Sequence, residues 1–73
     1  MEGERQMVEK GQDFNSRLHT LIGEGIEVFT DNSEMYLIGK LRAVYDGYIV
    51  VEQENGKVTY INTNKIVYFI ANK

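Results

Sequence analysis

The stretch MYLIGKLRAVYDGYIVVEQENGKVTYINTNKIVYFI, residues 35–70, decides the fold of this chain. Short turn signals break it into four strand-like runs. Met35 to Tyr45 is long for a strand, and Gly39 in its middle marks a bend or a close backbone approach. Asp46-Gly47 is a hairpin signal, and Tyr48 to Glu54 follows it as the next strand. Asn55-Gly56 is the strongest turn in the chain and leads into Lys57 to Asn62. Only Thr63, Asn64 and Lys65 separate that run from Ile66 to Ala71, a spacing that suits a single 3₁₀ turn.

Working outward, Ile26, Val28 and Thr30 alternate with Glu27, Phe29 and Asp31, the pattern of a half-buried first strand. Asp31-Asn32-Ser33 turns the chain. Before it, Phe14, Leu18, Leu21 and Ile22 share one face of an amphipathic helix. Asp13 stands where an N-cap belongs and Gly23 where the helix should stop. Residues 1–11 are charged and little periodic, and read as a flexible tail or as a backward extension of the helix. The expected fold is mainly β: a short N-terminal α-helix, then a five-stranded, strongly bent antiparallel barrel over residues 12–73. The last run, Ile66 to Ala71, contains no polar residue, so both of its faces want cover. A neighbouring subunit pairing with its edge would supply that, as would the helix or the tail.

Seventy-three residues make one domain, of a size that usually needs disulfides, a metal or oligomerisation for support. With no cysteine and a single histidine, His19, oligomerisation is the support left, and a reducing, cytoplasmic compartment is allowed. The net charge is −3 with a pI near 5.0, which argues against a protein that coats a nucleic-acid duplex. No run is long and apolar enough for a membrane span, so the expectation is a soluble, cytoplasmic protein. Ser16 and Ser33 have no visible partners for nucleophilic catalysis, and the carboxylates lack metal-loop spacing. The reading is therefore of a binding protein without cofactor or metal, and not an enzyme.

Gly39, Asp46 and Tyr48, with Leu37, Leu41 and Val44 around them, look like the first motif of the Sm-like (LSm and Hfq-like) family. Gly39 and Asp46 stand one residue further apart than is usual in that motif. Ile61-Asn62-Thr63-Asn64-Lys65-Ile66 keeps the frame of the second motif, with Asn62 and Thr63 replacing its Arg-Gly. Gln12-Asp13-Phe14 is similar to the helix entry of the Hfq-like members. The chain thus resembles a divergent Sm-like protein, which implies an SH3-like/Sm-like barrel and a homo-oligomeric ring of five to seven subunits. In such rings the loops after the second and fourth barrel strands converge on a pore that binds single-stranded RNA.

The resemblance places Tyr48 at the position that stacks on a base. It makes Asn62, Thr63 and Asn64 the readers of base edges, Lys65 a phosphate contact and Gln12 a further contact. Local chemistry offers another account of each: a rim tyrosine can simply pack, and Asn and Thr satisfy backbone groups in tight turns. Tyr60, Val67, Tyr68 and Phe69 are the candidates for the subunit interface. The function expected is RNA binding by a ring. The alternative is an adaptor oligomer with the same barrel that docks proteins and binds no nucleic acid.

Overall fold

The computed structural model describes residues 5–9, 11, 13–31 and 36–72, of which 5, 6, 9 and 72 by backbone alone. Along the chain run β1 (Arg5–Glu9), α1 (Phe14–Thr20), β2 (Gly25–Thr30), β3 (Tyr36–Tyr45), β4 (Tyr48–Gln53), β5 (Val58–Asn62), a 3₁₀ turn (Thr63–Lys65) and β6 (Ile66–Asn72). The strands form one antiparallel sheet in the order β1-β6-β2-β3-β4-β5. The chain is mainly β with one short helix, as its alternation of apolar and polar residues requires.

The expected five strands are six. Arg5–Glu9, assigned to a flexible tail by composition, pairs with β6 from Arg5↔Asn72 to Glu9↔Tyr68. Good helix formers are a strand here because the bare edge of β6 supplies backbone partners that a lone helix turn could not match. β6 thus has both edges paired within the chain, by β1 and by β2.

The sheet is strongly bent. β5 and β6 are four strand spacings apart, about 19 Å in a flat sheet. The 3₁₀ turn that joins them rises only about 2 Å per residue, so the sheet must curl to bring the two strands together. Register shifts lie at Phe29/Thr30 and between Leu41 and Ala43. Gly39 serves the bend: a Cβ there would sit 2.5 Å from the Glu52 carbonyl oxygen. No pairing joins β1 to β5 among the described residues, so the sheet is open rather than a closed barrel.

Every strand contributes to the core inside the curl: Val8, Val28, Leu41, Val51, Ile61 and Phe69 among them. Phe14, Leu18 and Leu21 lie over its open end, and the Phe14 and Phe69 rings stand 5.2 Å apart. Ile22, expected on the same face, is 45% exposed, because the helix ends at Thr20 and its periodicity ends with it. Asp13 does occupy the N-cap, but its side chain makes no capping hydrogen bond.

Candidate functional site

Two turns far apart in sequence build one surface. The two-residue hairpin at Asp46-Gly47, with Gly47 at φ +95°, sets Tyr45 directly opposite Tyr48. On the other side of β4, Tyr48 faces Asn62 and Val50 faces Tyr60. Three tyrosines consequently share the outer face: the Tyr45 and Tyr48 centroids are 4.9 Å apart and nearly parallel, and those of Tyr48 and Tyr60 are 5.9 Å apart. Tyr48 is 38% exposed and Tyr60 67%.

The 3₁₀ turn closes against this group. The Thr63 amide donates to the Gly47 carbonyl at 2.9 Å, joining the loop after β3 to the loop after β5. Asn62 Oδ1 accepts from the Asn64 amide at 2.9 Å, so this side chain caps the turn. At the far end, the Asp31 amide donates to the Lys65 carbonyl at 2.8 Å. Asn64 and Lys65 point outward, exposed. Thr63 Oγ1 is buried, with no hydrogen-bond partner among the described residues.

Tyr48, Asn62, Thr63, Asn64 and Lys65 are therefore neighbours, while Gln12 lies outside the described residues. The patch offers ring faces, an exposed amide and one ammonium, next to the exposed carboxylate of Asp46. Such a surface can stack a planar group and hydrogen-bond its edge. Tyr45, which the sequence reading left inside its strand, belongs with them. The two-residue turn was the signal that could have found it.

The interface candidates divide. Tyr60 and Val67 are exposed, and Tyr68 is half-buried against Phe29. Phe69 is a correction: it is fully buried on the inner face and has no side-chain surface to offer a second chain. The edge of β6, expected to meet a neighbouring subunit, is occupied by β1.

Near the bend of β3, a cleft of about 690 Å³ carries both signs of charge. Lys40 and Arg42 face Glu52 and Glu54 there, with Arg42 Nε 3.3 Å from Glu52 Oε1. Among the described residues no group of three or more His, Cys, Asp or Glu side chains is placed to hold a metal. Nor is any helix there long and apolar enough to cross a membrane.

Residues 16–71 match the model of a family described as a domain of unknown function (DUF6897), and the chain belongs to that family. No curated protein and no solved structure matches the chain.

Proposed function

We propose that this family member is a divergent Sm-like protein whose bent sheet acts as a barrel and binds single-stranded RNA. Tyr48 stacks on a base, assisted by Tyr45 and Tyr60. Asn64 and the free amide group of Asn62 hydrogen-bond base edges, and Lys65 meets phosphate. The observation that carries this reading is the Thr63–Gly47 hydrogen bond. It brings together the two loops that the resemblance assigns to RNA, counted from the strands after the helix. Repetition of the patch around a homo-oligomeric ring would add avidity to contacts that are weak singly, which suits a chain with no basic surplus.

The test is fluorescence anisotropy with short labelled oligo-U and oligo-A, at several salt concentrations. Wild-type protein should bind at least one of them, and Tyr48→Ala should weaken binding by about 1–3 kcal/mol per stacked base, with an unchanged circular dichroism spectrum. Absence of binding by the wild type, or equal binding by Tyr48→Ala, overturns the reading. One observation favours the adaptor alternative in that event: the exposed apolar side chains Val58 and Tyr60 on the edge strand β5 suit a protein partner.

A further inference from the structure

Of the six asparagines in the chain, only Asn55 is followed by glycine. The pair lies at the tip of the β4–β5 hairpin. There the Gly56 amide donates to the Gln53 carbonyl and the Gln53 amide to the Lys57 carbonyl, both at 2.8 Å. This is a three-residue loop with Gly56 in the left-handed region at φ +88°. Asn55 Oδ1 accepts from the Lys57 amide at 2.9 Å, which folds the carboxamide back along the Gly56 peptide and polarises its carbonyl. Both residues are exposed, and a Cβ at Gly56 would meet nothing within 4 Å. The carboxamide carbon thus faces the next backbone nitrogen in open water, with no side chain in the way.

We infer that Asn55 is a site of spontaneous deamidation, and that the isoaspartate formed there loosens the edge strand β5. The Gly56 backbone nitrogen attacks Asn55 Cγ, and the new N–C bond closes a five-membered imide. The side-chain nitrogen leaves as ammonia, carrying the proton that the Gly56 nitrogen gives up. Water then opens the ring at one carbonyl or the other, leaving aspartate or isoaspartate. The Gly56 N–H must first part from the Gln53 carbonyl, so the reaction runs in molecules whose turn has opened, a low-cost fluctuation at an exposed hairpin tip. Other positions lack one part of this arrangement. Asn62 also accepts from a backbone amide two residues on, but its next nitrogen belongs to Thr63 and is bound to Gly47. Asp46-Gly47 matches in spacing, but a carboxylate is a poor electrophile. Isoaspartate inserts a methylene into the main chain between Gln53 and Lys57, whose backbone bond closes the hairpin. β5 pairs with β4 alone, so no second strand holds it when that closure weakens. Each conversion also adds one negative charge near Glu52 and Glu54. The inference is independent of RNA and of assembly.

The experiment incubates the full chain at neutral and mildly alkaline pH, folded and, in parallel, unfolded in urea. Peptide mapping by mass spectrometry, with fragmentation that separates isoaspartate from aspartate, follows each asparagine. In the folded chain Asn55 should convert before Asn15, Asn62 or Asn64, faster at the alkaline pH, with isoaspartate as a product. Hydrogen exchange then compares the purified isoaspartyl form with fresh protein and with Asn55→Asp, which carries the charge without the extra methylene. The isoaspartyl form should exchange faster over Val58–Asn62, and Asn55→Asp should match fresh protein. Folded protein that keeps Asn55 intact while the urea-unfolded chain converts it overturns the inference. So does an isoaspartyl form whose β5 amides exchange no faster than those of fresh protein.

Discussion

Two groups of three aromatic rings sit on the outer face of one sheet, and they differ in what holds them. Phe29 lies between Tyr68, 4.5 Å away and stacked, and Tyr36, 4.6 Å away. The Tyr36 hydroxyl donates to Glu27 Oε1 at 2.8 Å, and Glu27 is itself buried. The rings come from β2, β3 and β6, which are paired side by side in the sheet interior. The group of Tyr45, Tyr48 and Tyr60 comes instead from β3, β4 and the edge strand β5, and Tyr60, on that edge, is the most exposed of the six rings. The same residue type acts as packing in one place and as surface in the other. What separates Tyr60 from Phe29 is whether both neighbouring strands are present.

The contrast can be broken by substitution, with urea unfolding at fixed protein concentration as the readout. Phe69→Ala supplies the inner-face reference, and its loss should be the largest, about 3–5 kcal/mol. Phe29→Ala comes next at about 2 kcal/mol, since each of its two ring contacts contributes about 0.5–1.5 kcal/mol beyond burial. A change under about 0.5 kcal/mol there would make the interior group as dispensable as a surface one. Tyr36→Phe keeps the ring and removes the donor to a buried carboxylate, so it should cost about 1 kcal/mol. Tyr60→Ser should lie within about 0.5 kcal/mol of wild type. If Tyr60→Ser proves as costly as Phe29→Ala, both groups are packing and the tyrosines around Tyr48 are not available to a ligand.

The strands after the helix were legible because their signals are local. Asp46-Gly47 and Asn55-Gly56 give the turns, and Thr63, Asn64 and Lys65 form the expected 3₁₀ turn. β1 was not legible, since nothing in Arg5–Glu9 marks a strand until β6 stands beside it. Phe69 shows a second limit. The unbroken run Ile66 to Ala71 calls for cover on both faces but does not say by what, and Val67 within it stays exposed. Inside lie Phe14 and the core, and outside Phe29 stacks on Tyr68. The site was half legible. Its residues were named by the family resemblance, while the Thr63–Gly47 bond that brings them together depends on the sheet curling, which no local pattern encodes.

The place of β6 in the sheet also governs how the chain reaches its folded state. Phe69 lies between Val8 and Val28, so one late segment must find two early ones. The β3–β4 and β4–β5 hairpins can zip early, but β2 has only one neighbour until a long loop closes, and that closure costs entropy before any contact repays it. Docking of residues 66–72 onto β2 is therefore the step expected to set the folding rate, and stopped-flow refolding should place this small chain with the slower, high-contact-order folders despite its length.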